Sequence, residues 1–280
     1  MLDVINISDH EFESIRRLVY DRFGIALSDQ KRALVVGRLN KLLRKNNLKS
    51  FQDYYDYVVN DQSGKALSDF VDKISTNHTY FFRENDHFDY LLNVVLPEII
   101  NANLILNRKI LRVWCAASSS GEEPYTLAML ILEYLRHDIV DWDVGVLATD
   151  ISQSILDVAK KGVYQGNNVH RMPVGLKNKY LEHIGEDAWQ VRRPVKDLVL
   201  FRRLNLIQRD FPFKGKFHII FARNVMIYFD EATRKSLVER FFRYTNNGGY
   251  LFIGHSETLG RSHQLFKFVK PAIYRKEPGN

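Results

Sequence analysis

The sequence has very little cysteine and no long apolar run. Cys115 is its single cysteine, which excludes an internal disulfide and any zinc site built from several cysteines. No apolar run reaches the roughly 18 residues that a membrane-spanning helix needs. Residues 1–14 are acidic and polar, whereas an export signal would be basic and then apolar. With 45% hydrophobic and 26% charged residues, the chain is predicted to be a globular protein of the reducing cytoplasm.

Basic residues are concentrated in one segment. The net charge of +7 is moderate, but residues 31–49 contain seven lysines and arginines and no aspartate or glutamate. Apolar residues recur there at helical spacing, at Leu34, Val35, Leu39, Leu42 and Leu43. The pattern predicts an amphipathic helix with one basic face. This face is either an ordinary solvated surface or a docking surface for an acidic partner, nucleic acid or protein.

Residues 1–75 are predicted to form a small helical domain. Polar residues suited to begin its helices are Ser8 or Asp9, Ser28 or Asp29, and Ser50. They predict three helices, which are a first helix that ends at Phe23, then the basic helix, and then a helix over 51–60. A further short helix is expected over 68–75. Residues 76–109 are predicted to be a linker and a connecting helix, which is periodic over 84–101 and has a candidate kink at Pro97.

From residue 110 the chain alternates between strand and helix patterns. Strands are expected over 110–117, 143–150, 217–224 and 248–257, and helices over 124–139, 151–162 and 230–245. This alternation predicts an α/β fold with a doubly wound, mostly parallel sheet over 110–280. Short strands at 266–270 and 272–276 indicate an antiparallel edge.

Residues 164–205 interrupt this alternation. The segments WQVRRPV and LVLFRRL are short, rich in β-forming residues and separated by Lys196 and Asp197. They predict a hairpin within a small inserted antiparallel β subdomain.

The turn after the first strand indicates a ligand site. Only Ala, Ser and Gly occupy residues 116–121, and Glu122, Glu123 and Pro124 follow at the start of a helix. Such a turn lets a ligand approach the backbone at the carboxyl end of a strand. The two carboxylates would repel a pyrophosphate, but they suit S-adenosylmethionine (SAM), which carries a sulfonium, an amino group and ribose hydroxyls. The alternative is that they only complement the helix dipole, at about 0.3–1 kcal/mol each.

Polar residues also end two further strands. Asp150 closes the second strand, where an acid commonly binds ribose hydroxyls, although an aspartate there also serves as a helix cap. Arg223 and Asn224 end the strand at 217–224, close to Tyr228. They are expected near the reacting group of a bound ligand.

The segment STNHTYFFRE, residues 75–84, is a fourth candidate. Asn77, Thr79 and Arg83 are interleaved there with aromatic residues at 80–82, without helical or strand periodicity. The segment is either another wall of the ligand site or a linker whose aromatic side chains fill the domain interface.

Taken together, several segments resemble the CheR family of chemotaxis receptor glutamate O-methyltransferases. They are STNHTYFFRE, RVWCAASSSGEEPYTLAM, LATDIS, FARNVMIYFD and, at 254–257, GHSE. The resemblance covers nearly the whole chain. It implies a Rossmann-like, SAM-dependent methyltransferase domain with a helical N-terminal domain that docks receptors. The implied reaction methylates receptor glutamates, releases S-adenosylhomocysteine and uses no metal.

The resemblance also implies which residues bind the cofactor. Those expected to line the SAM pocket are Asn77, Thr79, Arg83, Ala117, Glu123, Asp150, Asn205, Leu206, Arg223 and Asn224. Asp150 would bind the ribose hydroxyls, and Asn205 and Leu206 would flank the adenine. Glu123 is expected at the ligand, whereas Glu122 would be only a charge at the helix end.

Arg83 and Tyr228 are implied to be the catalytic residues, closest to the methyl group and the incoming carboxylate. A glutamate side chain with a pKa of about 4.3 is already ionised at neutral pH, so it can attack the methyl group without a general base. Orientation is then expected to be the main catalytic effect.

The same resemblance implies a binding partner for the basic helix. The residues implied to contact the glutamate-rich methylation region are Arg38, Lys41, Arg44 and Lys45. The partner would be the cytoplasmic domain of a methyl-accepting chemoreceptor and not nucleic acid, and the protein would be a monomer that reaches the membrane only through receptors. The short connection HIGEDAWQV predicts an enzyme that does not need a receptor's C-terminal pentapeptide.

Two other functions remain open. A methyltransferase of RNA or DNA would use the basic helix to bind phosphates, but the chain has RNVMIYF where an Asn or Asp-Pro-Pro-aromatic motif would be expected. A non-catalytic SAM sensor or adaptor would be expected to lose some of Arg83, Asp150 and Tyr228.

Overall fold

Residues 5–75 form four helices that pack around an apolar core of their own. The protein is described from a computed structural model, over residues 5–75 and 77–279. The helices are α1 (Asp9–Phe23), α2 (Arg32–Lys45), α3 (Phe51–Asn60) and α4 (Lys65–Ile74), with a 3-10 turn at Asp29–Lys31. Ser8, one of the two residues expected to cap α1, and Ser50, expected to cap α3, both do so, and each forms a capping box. Helix α4 begins three residues earlier than expected.

A connecting helix leads from this domain to the sheet. It consists of α5 (Asp86–Tyr90), a π-helical turn (Leu91–Val95) and α6 (Leu96–Ile105). The π-helical turn ends two residues before Pro97, which has no N–H to donate and whose ring crowds the preceding carbonyl groups. Within residues 5–75 and 77–279, no helix has the length and apolar character needed to cross a membrane.

Within residues 110–279, the structure contains ten strands. They are β1 (Ile110–Ala116), β2 (Asp143–Asp150), β3 (Val163–Gln165), β4 (Leu181–His183), β5 (Ala188–Val191), β6 (Val199–Arg203), β7 (Phe217–Ala222), β8 (Thr245–Ile253), β9 (Lys267–Lys270) and β10 (Ile273–Arg275). Seven form the main sheet in the order β6-β2-β1-β7-β8-β10-β9. The first five strands of this order are mutually parallel, and β10 and β9 form the expected antiparallel edge.

Helices cover both faces of this sheet. The helices of this domain are α7 (Glu122–Leu135), α8 (Gln153–Lys161), α9 (Gly166–Val169), α10 (Val174–Tyr180), α11 (Arg193–Lys196) and α12 (Glu231–Tyr244), and 3-10 turns lie at Arg136–Asp141 and Met226–Tyr228. Side chains that alternate along β1 enter two separate apolar clusters, Val113 and Cys115 in one and Trp114 in the other. The sheet is therefore buried on both faces, and the α/β prediction is confirmed.

The predicted hairpin between WQVRRPV and LVLFRRL is wrong. The inserted sheet is antiparallel, but its order is β3-β5-β4. Strand β6 instead pairs in parallel with β2 at the edge of the main sheet, where it buries Phe201. Pro194 has no N–H for a strand ladder, and it lies in the helical turn α11 between β5 and β6. The domain boundaries drawn from the sequence stay predictions.

The helical domain contacts the carboxyl ends of the main-sheet strands. Ile25 and Phe229 form an isolated antiparallel bridge, and the Ala26 N–H donates to the carbonyl of Tyr228 at 2.8 Å. The Tyr20 hydroxyl donates to Asp230 at 2.6 Å. These contacts place the end of α1 and the residues after it directly above the loop that follows β7.

Candidate functional site

A pocket lies at the carboxyl ends of β1, β2 and β7, and residues of the helical domain help to enclose it. The ten residues expected to bind SAM all line this pocket, and so does Tyr228. The helical domain adds a mostly apolar wall that sequence reasoning did not find. This wall contains Phe23, Ile25, Leu27, Leu34 and Val35.

The turn between β1 and α7 forms one wall and needs unusual backbone angles. Ala117, Ser119 and Gly121 have φ values of 65°, 49° and 98°. A Cβ atom on Gly121 would lie 2.9 Å from the Cβ of Ala159 and 2.9 Å from the hydroxyl of Tyr164. The small residues of this turn therefore let it pack closely against its neighbours while its backbone lines the pocket.

Asp150 is held rigidly at the end of β2. Its carboxylate accepts hydrogen bonds from the N–H groups of Ser119 at 2.9 Å and Ser152 at 3.0 Å. Burial raises the pKa of Asp150, and these N–H groups oppose that rise. A carboxylate offers about four acceptor positions, so it can still accept from two ligand hydroxyls. Ser152, not Asp150, is the cap residue of α8.

The two acids at the start of α7 have different surroundings. Glu122 is fully buried and accepts hydrogen bonds from Ser120 at 2.6 Å and Asn168 at 2.9 Å, so it holds the inserted subdomain against the turn. Burial raises its pKa. Glu123 lines the pocket and accepts a hydrogen bond from the Cys115 thiol at 3.0 Å.

Arg223 joins Glu123 to the linker before α5. Its buried guanidinium lies 2.9 Å from a carboxylate oxygen of Glu123 and 3.0 Å from one of Glu84, and it donates to the carbonyl of Arg83. Burial would raise the pKa of Glu84, but Arg223 and a hydrogen bond from Asn224 outweigh it and lower that pKa. One cation thus holds three segments around the pocket, and sequence reasoning missed Glu84 although it directly follows Arg83.

Glu257 holds the ends of β7 and β8 together, and sequence reasoning assigned it no role although it belongs to GHSE. Its carboxylate accepts from the N–H groups of Gly254 at 2.6 Å, Asn224 at 2.9 Å and Ile227 at 3.2 Å. Asn224 has a φ of 55°, so these bonds stabilise an uncommon backbone conformation beside the pocket. Burial raises the pKa of Glu257, and the N–H groups oppose the shift.

Arg83 and Tyr228 bring a cation and a phenol to the same pocket. An Arg83 N–H donates to the carbonyl of His78 at 2.7 Å, and its side chain is 27% exposed. Tyr228 ends the 3-10 turn after β7. The ammonium of Lys31, which also lines the pocket, lies 5.3 Å from the centre of the Tyr228 ring. The sequence placed Lys31 in the basic segment but not at the ligand.

Asn205 and Leu206 follow β6 on another side of the pocket. Leu206 is buried. The Asn205 amide donates to the carbonyl of Arg22 at 2.7 Å and accepts from the N–H of Ile207 at 3.2 Å. Asn205 therefore also links the α/β domain to the end of α1.

The four expected docking residues lie outside this pocket on α2. Arg38 is half-buried and donates to the carbonyls of Ile74 at 2.7 Å and Ser75 at 3.2 Å. Lys45 is exposed and pairs with Asp69 at 2.9 Å, and Lys41 and Arg44 are exposed. Arg38 and Lys45 therefore already contact α4 or the segment after it.

Comparisons with known proteins agree with this architecture. Residues 10–75 match the protein family described as "CheR methyltransferase, all-alpha domain". Residues 77–275 match the family described as "CheR methyltransferase, SAM binding domain". A chemotaxis protein methyltransferase of Borreliella burgdorferi is 44% identical over 97% of this chain and 96% of its own length. A probable chemotaxis protein methyltransferase of Rhizobium etli is 37% identical (92% and 96%), and chemotaxis protein methyltransferase 2 of Pseudomonas aeruginosa is 35% identical (94% and 92%).

Proposed function

Because the chain belongs to the CheR methyltransferase family, we propose that it transfers the methyl group of SAM to glutamate side chains of chemoreceptors. The products are a glutamyl γ-methyl ester and S-adenosylhomocysteine. One observation carries the proposal: a single pocket combines two carboxylates, from Glu123 and Asp150, with the cationic Arg83 and the phenol of Tyr228.

The carboxylates and the apolar wall are the groups that bind SAM. Asp150, fixed by two backbone N–H groups, accepts hydrogen bonds from both ribose hydroxyls. Glu123 accepts from the α-amino group of SAM, which shares this carboxylate with Arg223. Leu206 and the apolar side chains of the helical domain surround the adenine. Asn77, Thr79, Ala117 and Asn224 complete the lining.

The methyl transfer needs no proton removal. An oxygen of the receptor carboxylate attacks the methyl carbon in line with the sulfonium, and the bond between that carbon and sulfur breaks. The anion and the cation neutralise each other, so the transfer is favoured where water is excluded and the partners are aligned. Arg83 positions the carboxylate, and Tyr228 donates a hydrogen bond to it. The reaction therefore relies on placement rather than on a base.

The basic face of α2 is the receptor-docking surface in this proposal. Lys41 and Arg44 are exposed on it and attract the glutamate-rich methylation region, and Arg38 and Lys45 add charge to the same face. The loop between β4 and β5 spans only residues 184–187, which supports docking without the receptor's C-terminal pentapeptide. We place the reaction in the cytoplasm, on the cytoplasmic domains of receptors, and propose that the enzyme acts as a monomer.

A substrate comparison tests the proposal. The protein is incubated with methyl-labelled SAM and, in parallel, with a chemoreceptor cytoplasmic domain, with structured RNA or with duplex DNA. We expect label only in the receptor domain, and we expect mild base to release it as methanol. Label in nucleic acid would instead favour the rival methyltransferase. Binding of SAM without transfer to any substrate would favour a sensor or adaptor.

A further inference from the structure

Three potential metal ligands meet behind the wall of the SAM pocket. They are Glu84 and His87, at the start of the connecting helix, and His255, just after β8. Their ligand atoms all lie within 4.8 Å of one another. The Nδ1 atom of His87 is 3.7 Å from a carboxylate oxygen of Glu84, and the centres of the two imidazole rings are 4.6 Å apart. None of the three residues lines the SAM pocket, although Glu84 contacts Arg223 and Arg83, which do.

His87 is the unusual member of the cluster. Its side chain has no exposed surface, and neither of its ring nitrogens has a hydrogen-bond partner within residues 5–75 and 77–279. Buried polar groups of this kind are rare, because burial without a partner is destabilising. In a neutral imidazole, one ring nitrogen carries a lone pair that can coordinate a metal ion.

His255 is oriented by a second carboxylate. Its Nε2 atom lies 3.0 Å from Asp86, which leaves Nδ1 for a ligand. A carboxylate that bonds the outer nitrogen of an imidazole is the common support of a metal-binding histidine. The side chain of His255 is 43% exposed, so an ion can reach the cluster from solvent and the ring can turn toward it.

The local charge favours a cation in spite of Arg223. Arg223 lies 3.0 Å from Glu84, and its positive charge opposes an incoming ion. However, the same guanidinium also neutralises Glu123. Arg83 also lies 4.0 Å from Glu84. Two guanidinium groups, of Arg83 and Arg223, therefore face three carboxylates, of Glu84, Asp86 and Glu123, and one negative charge remains in surplus.

We propose that Glu84, His87 and His255 bind a divalent transition metal, with zinc as the ion that fits best. Two imidazoles and one carboxylate form a ligand set that zinc accepts, with water at the fourth position. The ion would bind a ring nitrogen of His87, which otherwise has no partner, and would join the linker to the end of β8. Its role is structural, because the methyl transfer proposed above needs no metal.

Metal titration of the protein tests the site. Tag-free protein is stripped with a chelator and titrated with cobalt(II), whose visible absorption reports coordination, and zinc is then added as a competitor. We expect one saturable site from which zinc displaces cobalt. His255→Gln should weaken cobalt binding at least about tenfold, and Asp86→Asn about tenfold. His137→Gln, which changes an exposed histidine beside Asp138, is the matched control and should bind like the wild type.

Thermal unfolding provides a second readout. Zinc should raise the melting temperature of the wild type and of His137→Gln, because a ligand bound only to the folded state stabilises it. Zinc should not raise the melting temperature of His255→Gln. This variant changes a partly exposed side chain, and its melting temperature without metal, compared with that of the wild type, shows whether it folds. A protein without a saturable cobalt site, or unchanged affinity in both His255→Gln and Asp86→Asn, would overturn the proposal.

Discussion

Replacing Gly121 by alanine should separate two physical demands of the turn between β1 and α7. The first is backbone strain: Gly121 has a φ of 98°, and a side chain at positive φ costs about 1–2 kcal/mol. The second is steric: the new methyl group would lie 2.9 Å from both Ala159 and Tyr164, and overpacking of this kind costs about 1–3 kcal/mol. We therefore expect Gly121→Ala to lower the free energy of unfolding by about 2–5 kcal/mol.

Two other glycines provide matched controls. Gly248 has a φ of 77°, but apart from Gly248 itself and its two chain neighbours, no atom of the described residues lies within 4 Å of the position of its Cβ. Gly248→Ala should therefore show the strain alone, about 1–2 kcal/mol. Gly37 lies within α2, and apart from its chain neighbours and the backbone of this helix, its Cβ would also meet nothing within 4 Å among the described residues. Gly37→Ala should stabilise the protein by up to about 1 kcal/mol.

Denaturant unfolding of the wild type and the three glycine variants measures these differences in the free energy of unfolding. Calorimetric titration with SAM then shows whether each substitution also changes the affinity for the proposed cofactor. The Tyr164 hydroxyl donates to the carbonyl of Ser120 at 2.7 Å, so displacing Tyr164 shifts the proposed cofactor turn. SAM affinity should fall in Gly121→Ala and stay unchanged in Gly37→Ala and Gly248→Ala. If Gly121→Ala is no less stable than Gly248→Ala, the close-packing argument for this turn is refuted.

Three further predictions concern the cofactor, the reacting groups and the docking surface. Asp150→Asn should weaken SAM binding about 10- to 100-fold in calorimetry, because the amide replaces one of the two acceptor oxygens with an NH2 donor. Wild-type affinity would exclude the ribose role of Asp150. Arg83→Ala should lower kcat/KM at least about 100-fold. A wild-type rate in this variant, with normal SAM binding, would exclude the positioning role of Arg83. Tyr228→Phe should lower kcat while the Kd for SAM stays unchanged. Lys41→Glu should raise the KM for the receptor about fivefold at low salt, and added salt should remove this effect. Lys235→Glu, which changes an exposed lysine on α12, is the control and should have little effect. Equal effects of the two variants would argue against docking on α2.

The parts of the fold that depend on local chemistry could be predicted from the sequence. Ser8 and Ser50 cap the helices that they were expected to begin, because a capping box involves only four neighbouring residues. β2 ends at Asp150 as predicted, since an apolar run followed by a helix start is a local pattern. The polar residues at the strand ends then meet because parallel strands share one edge.

The parts that depend on distant partners could not be predicted in this way. β6 resembles half of a hairpin, but its partner β2 lies about 50 residues earlier in the chain. Glu84 and Arg223 are 139 positions apart, and no periodicity connects them. The position of Lys31 beside Tyr228 depends on how the helical domain is placed on the sheet, and the amphipathic pattern of α2 does not encode that placement.

Locating the transferred methyl group tests the central claim most directly. The protein is incubated with SAM and a chemoreceptor cytoplasmic domain, the modified peptides are sequenced by tandem mass spectrometry, and S-adenosylhomocysteine is quantified in the same samples. We predict methyl groups on glutamate side chains, removed by mild base, with one S-adenosylhomocysteine formed for each ester. Base-stable methyl groups on other side chains, or SAM binding without any receptor methylation, would contradict the proposed function.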